Sequence, residues 1–285
     1  MDEGPTGKVE QLGPLVRRVL APNPSPFTYT GTQTYIVGRG EVAVIDPGPD
    51  LPGHLAALEA ALDGERVAAI VCTHTHRDHS PASRPLKGAT RAPVVGCAPL
   101  ALEDDGPRAD EAFDLAYRPD RVLAEGEAID GPGWSLKAVE TPGHTSNHLC
   151  FALAEEGALF SGDHVMGWST TVVAPPDGDM AAYMASLDKL LAREDRIYYP
   201  AHGPAIERPR RHVRALIGHR RMREKQILGH VEAGEGRIGE MVRAMYRGVD
   251  PRLHPAAARS VLAHLLDLEQ RGLVAREGET WIAAG

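Results

Sequence analysis

Between residues 73 and 79 the chain reads Thr73-His74-Thr75-His76-Arg77-Asp78-His79, which puts three imidazoles and one carboxylate within six positions. So many polar, titratable groups in a row do not belong to an apolar core. Neutral imidazole nitrogen is the commonest biological metal ligand, and a neighbouring carboxylate suits the same divalent cations. His74 and His76 are two positions apart, so on extended backbone they project to one side. Asp78 and His79 follow where the chain must turn, and Ser80-Pro81 reads as a helix start. One short loop can therefore offer two pairs of ligands to two neighbouring points. The run before it, Val67 to Cys72, is continuously apolar and of strand length, as a strand buried on both faces requires. The cluster thus stands where a central strand gives way to a loop, a usual place for chemistry in layered α/β proteins.

Three further turns carry residues of the same kind. Thr141-Pro142-Gly143-His144-Thr145 follows the strand-like Ser135 to Glu140. Phe160-Ser161-Gly162-Asp163-His164 follows a short apolar run, and Tyr198-Tyr199-Pro200-Ala201-His202-Gly203 follows Arg196-Ile197. Each reads as a strand ending in a turn shaped by Gly or Pro. With these motifs in this order the first two hundred residues resemble the metallo-β-lactamase superfamily. The resemblance implies a first metal held by His74, His76 and His144. It implies a second held by Asp78, His79 and His202, with Asp163 bridging the two. Both would be Zn(2+), with manganese or iron able to use the same ligands. Asp46, in Val44-Ile45-Asp46-Pro47-Gly48, resembles the family's early Asp that supports the site from behind the ligands. Two dications a few ångströms apart would share a water, make it hydroxide near neutral pH and polarise the electrophile. Hydrolysis without a protein nucleophile is the expected chemistry, with Asp78 and Asp163 central to it. No Gly-x-Ser-x-Gly elbow or Gly-Lys-Ser/Thr phosphate loop competes. His148, four residues after His144, is a candidate to bind substrate or donate a proton, the alternative being support of a ligand.

The remaining histidines lack ligand spacing. His164 should face away from Asp163 and pack, while His54, His212, His219, His230, His254 and His264 read as solvent-exposed. Cys72, Cys97 and Cys150 sit among apolar neighbours and read as buried free thiols of a reducing cytoplasm. Residues 1–10 hold no apolar stretch for a signal peptide, and no later run is of membrane-spanning length. A cytoplasmic protein with no membrane partner is the expectation.

The elements that would position these groups divide into two modules. Residues 1–205 carry 16 Lys+Arg against 29 Asp+Glu, a net −13, whereas residues 206–285 carry 15 against 10, a net +5. That change places a boundary between a hydrolase module, 1–206, and a second module, 207–285. The first alternates strand candidates (Thr34 to Val37, Val42 to Ile45, Val67 to Cys72, Val94-Val95, Leu136 to Val139, Leu149 to Leu153, Ile197 to Tyr199) with helical stripes. One stripe is Leu55, Leu58 and Leu62. The other is Tyr183, Leu187, Leu190 and Leu191, capped by Asp179. Pattern alone gives a layered α/β domain; the four-layer αββα sandwich is what the resemblance adds. The acidic stretch 102–126 reads as an excursion without chemistry. The second module opens on a long polar helix, Pro209 to Val231, crowded with Arg208, Arg210, Arg211, Arg214, Arg220, Arg221, Arg223 and Lys225. Helical patterns follow near Gly239 to Tyr246 and Ala256 to Gln270, then a hairpin with Gly278 in its turn. Three helices and a two-stranded wing outline a winged helix.

That outline is similar to the β-lactamase-like endoribonuclease branch of the superfamily, which implies a phosphodiesterase acting on single-stranded RNA. The basic stretch would attract phosphates, or complement the acidic first module, or make a homodimer contact. The alternative is a thioester hydrolase resembling glyoxalase II or the acyl-thioesterases of polyketide pathways. A mononuclear iron persulfide dioxygenase would use part of the same ligand set. A β-lactamase is disfavoured, because dedicated lactamases of this fold are exported and usually lack the bridging carboxylate. A winged-helix binding protein with an inert first module does not fit seven intact ligands. Gln33 stands where relatives often have Asn, and Ser169-Thr170-Thr171 could line the substrate mouth; neither separates phosphate from thioester.

Overall fold

Valine and isoleucine dominate the short runs of the first two hundred residues, and their β-branched side chains favour a pleated, buried surface. The structure, a computed structural model, describes residues 6–100 and 112–284. In the first sheet β1 (Val9–Gln11), β2 (Val16–Leu20), β3 (Gln33–Arg39) and β4 (Glu41–Ile45) form an antiparallel meander. The parallel strands β5 (Arg66–Cys72), β6 (Val94–Gly96) and β7 (Arg121–Val122) extend it. Parallel neighbours need crossovers, and α1 (Pro52–Ala61) and α2 (Ser83–Thr90) supply the first two. The second sheet holds β8 (Ala128–Gly131), β9 (Trp134–Glu140), β10 (Leu149–Leu153), β11 (Ala158–Gly162) and β12 (Ile197–Pro200). It is antiparallel except for β11 with β12, which are joined through α3 (Met180–Leu191). Asp179 caps α3 by accepting the Ala182 N–H at 2.7 Å, as the sequence indicated.

The two sheets pack face to face with helices outside, the αββα order. Val42 to Ile45 and Ile70 to Cys72 are 0–1% exposed, as fully covered strands must be. The Trp134 indole pins one sheet to the other. It donates to the Glu41 carbonyl at 2.9 Å, and it lies so close to Gly131 that a Cβ there would stand 2.2 Å from the ring.

The second module is helical. α4 (Pro209–Glu232) leads to α5 (Ile238–Met245), α6 (His254–Gln270) and the wing, β13 (Val274–Glu277) and β14 (Thr280–Ala283), with Gly278 left-handed in the turn. α4 serves two cores. Val213, Leu216 and Ile217 pack with Tyr183, Leu187 and Leu190 of α3, while Ile227 and Val231 pack with Met241, Val261, Leu265 and Trp281. The charge boundary at 206/207 coincides with the start of α4, but packing carries the first module's core past it. No helix among the described residues is long and apolar enough to cross a membrane.

None of the six histidines read as solvent-exposed is exposed: His212, His219, His230 and His254 are half-buried, and two are fully buried. His54 is 0% exposed, bonded to the Pro47 carbonyl and Thr34 Oγ1, and His264 on α6 is 3% exposed. Both lie on the inner stripe of a helix, where a ring replaces an apolar residue. His164 packs on Tyr183, and the three cysteines are free and buried, as expected. Part of the acidic stretch 102–126 falls outside the described residues. The described part is not idle, since Phe113 stacks on His76 at 4.7 Å.

Candidate metal centre

Every ligand predicted from sequence stands just past the carboxyl end of a strand, and the topology makes those ends converge. β4 and β5 are parallel, so Asp46 and the 73–79 loop emerge side by side, with the Asp46 N–H on the Val71 carbonyl at 2.8 Å. In the second sheet β9, β11 and β12 run the same way and deliver His144, Asp163 and His202 to one edge. The Leu149 N–H on the Thr73 carbonyl, 2.9 Å, ties the two edges together.

All seven side chains are buried and fall into two groups, His74, His76, His144 and Asp163, and Asp78, His79 and His202. In the first, His76 Nδ1 lies 3.0 Å from His74 Nε2 and 3.2 Å from His144 Nε2. In the second, Asp78 Oδ2 lies 3.1 Å from both His79 Nε2 and His202 Nε2. Asp163 faces both groups. Its Oδ2 is 3.7 Å from His144 Nε2, and its Oδ1 is 3.3 Å from His202 Nε2 and 3.6 Å from His79 Nε2.

The partners behind the rings decide which nitrogens carry protons. His144 Nδ1 donates to the Val172 carbonyl at 2.7 Å, and His202 Nδ1 donates to the Gly31 carbonyl at 3.2 Å. His79 Nδ1 donates to Asp46 Oδ2 at 3.0 Å. Asp46 also receives the Thr73 N–H and hydroxyl, each at 2.8 Å, so the Thr73 oxygen is left to accept from His74 Nδ1 at 3.0 Å. Each of these four imidazoles therefore turns its Nε2 inward, toward the other rings and two carboxylates. Buried lone pairs facing one another repel unless a cation lies among them. His79 Nε2, Asp78 Oδ1 and Asp163 Oδ1 indeed have no hydrogen-bond partner among the described residues. The donor set, nitrogen-rich with oxygen and no sulfur, fits two borderline divalent ions.

The two carboxylates also favour positive charge on the rings beside them. Burial alone would depress His202, but the Asp163 carboxylate and then Asp78 outweigh it and hold the ring up at about 10. His79 is likewise lifted against burial by Asp78 and Asp163. The carboxylates thus hold positive charge at buried positions.

His148 stands behind Asp163. It is 1% exposed; its Nε2 accepts the Asp163 N–H at 3.2 Å and its Nδ1 donates to Thr141 Oγ1 at 2.9 Å. Burial and then His164 keep it neutral. Gly162 makes room for it, with φ +50° and a Cβ position 2.6 Å from His148 Nε2. His148 is absent from the cleft that opens over the ligands, a space of about 320 Å³ floored by His76, Asp78, His144, Asp163 and His202. Phe27, Met166, Trp168 and Ser169 to Thr171 line one part of it, and His219, Arg220, Arg223, Tyr246, Val249 and Leu253 of the second module line another. The polar 169–171 stretch is thus at the substrate mouth. Gln33 is buried in β3 instead, bonded to the Gly203 carbonyl beside His202. Sequence reasoning grouped Arg220 and Arg223 with the rest of the basic stretch and did not single them out. The signal that singles out Arg220 is its place on the stripe Val213, Arg220, Ile227, where seven-residue spacing keeps one face inward.

Comparison with known proteins agrees with this geometry. Residues 28–202 match the metallo-beta-lactamase superfamily model, and residues 238–281 match the beta-lactamase associated winged helix domain. A beta-lactamase-like protein 2 homolog of Drosophila melanogaster is 34% identical over 93% of this chain and 91% of its own. An atrochrysone carboxyl ACP thioesterase of Paecilomyces divaricatus is 33% identical over 83% of this chain and 72% of its own. Among solved structures, a metallo-beta-lactamase family protein of Thermus thermophilus superposes with a TM-score of 0.76 at 25% identity, covering 96% of this chain and 100% of that one. The chain belongs to the metallo-beta-lactamase superfamily and carries the winged helix domain associated with it.

Proposed function

We propose that the chain is a dinuclear zinc hydrolase whose substrates are thioesters. The observation that carries this reading is the cleft itself. Its lining includes Phe27, Met166, Tyr246, Val249 and Leu253, a surface suited to an apolar acyl group. A phosphodiester chain would have to continue past the scissile phosphate with cations along its path. Here only Arg220 and Arg223 of the basic stretch reach the cleft, while Arg208, Arg210, Arg211, Arg214, Arg221 and Lys225 are exposed. Relatives named as acyl carrier protein thioesterases support the same choice.

His74, His76 and His144 would hold one ion, Asp78, His79 and His202 the other, and Asp163 both. Two such ions supply a water acidified toward neutral pH and a positive charge for the carbonyl oxygen under attack. The protein's own part is to fix four imidazoles by their outer nitrogens, to keep the floor dry and to place the acyl group over it. Asp163 and Asp78 stay ionised, and we assign His148 the holding of the Asp163 backbone rather than proton donation.

The test is thiol release from S-acyl N-acetylcysteamine by metal-replete protein, with His74→Ala purified in parallel and a single-stranded RNA oligomer assayed beside it. Thioester cleavage that disappears in His74→Ala is expected. RNA cleavage that disappears in His74→Ala, without thioester cleavage, would replace this reading with the ribonuclease one.

A further inference from the structure

Three side chains that line the cleft hold hydrogen-bond donors with no acceptor. Trp168 Nε1, Arg220 Nε and His219 Nδ1 have no hydrogen-bond partner among the described residues, and all three atoms are buried. The His219 tautomer follows from its neighbour: Nε2 accepts from Arg223 Nε at 3.4 Å, so the ring proton is on Nδ1. Burial, then Arg220 and Arg223, push this imidazole down to about 4, which keeps it neutral. Arg220 is 3% exposed, with its Nη2 on the Thr171 carbonyl and its guanidinium 5.1 Å from the Tyr183 ring centroid. Arg223 lies over Tyr246 at 4.4 Å. Neither arginine has an acidic partner among the described residues. Buried donors without acceptors, and a buried guanidinium without an anion, are a standing cost that an acceptor from outside would remove.

We propose that this wall is an oxyanion subsite. While the thioester lies on the floor, a second, anionic oxygen group of the same molecule sits on Trp168, His219, Arg220 and Arg223. That group is a carboxylate of the acyl part or a phosphate of the thiol carrier. The inference rests on the thioester reading, and its test is chosen to fail separately from it.

Two matched pairs distinguish the sources. Calorimetry on metal-replete protein compares adipate with hexanoate, and 4′-phosphopantetheine with pantetheine. In each pair the metal-seeking group is common to both members and only the distal anion differs. In at least one pair the member carrying the distal anion should bind about tenfold more tightly, the range of a charge-assisted hydrogen bond. Trp168→Phe, which deletes only the N–H, and Arg223→Met should each reduce that ratio severalfold. The same ratio should appear in KM for adipoyl against hexanoyl N-acetylcysteamine. If no thioester is turned over but the binding preference exists and falls in both variants, the subsite stands and the hydrolytic reading falls. Equal binding within both pairs, or a preference that neither variant touches, overturns the subsite. Binding of an RNA oligomer that Arg223→Met abolishes, with neither pair showing a preference, overturns it in favour of a phosphodiester ligand.

Discussion

Asp46 shows how much one residue behind the ligands can control. It holds a φ of +47°, in the left-handed region that a non-glycine residue occupies only when its surroundings compel it. From there one carboxylate fixes Thr73, His79 and, through Thr73, His74. Asp46→Asn keeps the shape but presents an N–H where two protons already point. Metal affinity should fall roughly 10–100-fold, read by chelator competition; an unchanged affinity would show that the loop holds itself. Asp163 is the ligand that faces both groups, so Asp163→Ala should leave about one ion per chain by elemental analysis and almost no turnover. Two ions retained would rule out bridging. The seven clustered side chains were legible because each lies a few residues past an apolar run of strand length, so their loops are short and their directions constrained. The place of His148 was not, since it depends on Thr141 Oγ1 and the Asp163 N–H, which only the folded chain brings to its two sides.

Elements carry the second level of control. The strand ends at 45, 72, 140, 162 and 200 set the positions of the clustered side chains, and Gly162 sets the spacing between β11 and His148. Gly162→Ala would combine a left-handed φ with a contact against the imidazole. It should destabilise the fold by about 2 kcal/mol or more, seen as a lower denaturant midpoint. Wild-type stability would mean that the backbone relaxes freely there. The buried strands β4 and β5 were legible from continuous apolar runs. β2 was not, because Val16-Arg17-Arg18-Val19-Leu20 looks polar until Arg17 finds Glu65 at 2.6 Å and Arg18 finds Glu10 at 2.8 Å. The edge strand β8 escaped for a similar reason, since Ala128-Ile129-Asp130-Gly131 has almost no pattern to read. The helix–helix–helix–wing outline was legible almost residue by residue, as the prolines that open α4 and α6 and the left-handed Gly234, Gly272 and Gly278 are local signals.

At the scale of the molecule, the charge contrast marks a change at 206/207 but says nothing of how the chain packs across it. Truncation after Ile206 would strip Val213, Leu216 and Ile217 from α3 and remove one wall of the cleft. The fragment should aggregate or melt well below the full chain in a thermal scan; a soluble fragment with unchanged melting would separate the modules after all. His264 lies in the same joint, 3% exposed, among the positive groups Arg220, Arg271 and Arg223 and beside His219. Burial, then Arg220, pushes it down to about 3. An unfolded histidine binds its proton below roughly pH 6.5, and this folded one does not until about pH 3. Stability at this group is therefore present above pH 6.5 and lost as pH falls toward 3. The loss is on the order of 3 kcal/mol by pH 4, and His264→Leu should flatten that slope in denaturant titrations across pH.

α4 is 24 residues long, a rod of roughly 36 Å at 1.5 Å per residue. Its front is embedded in the hydrolase core, its middle presents Arg220 and Arg223 to the cleft, and its rear carries the wing's packing. A ligand that grips the middle therefore pulls on a lever whose far end is the β13–β14 hairpin. Occupancy of the cleft should be readable there as slowed amide exchange at Val274 and Trp281, neither of which lines the cleft.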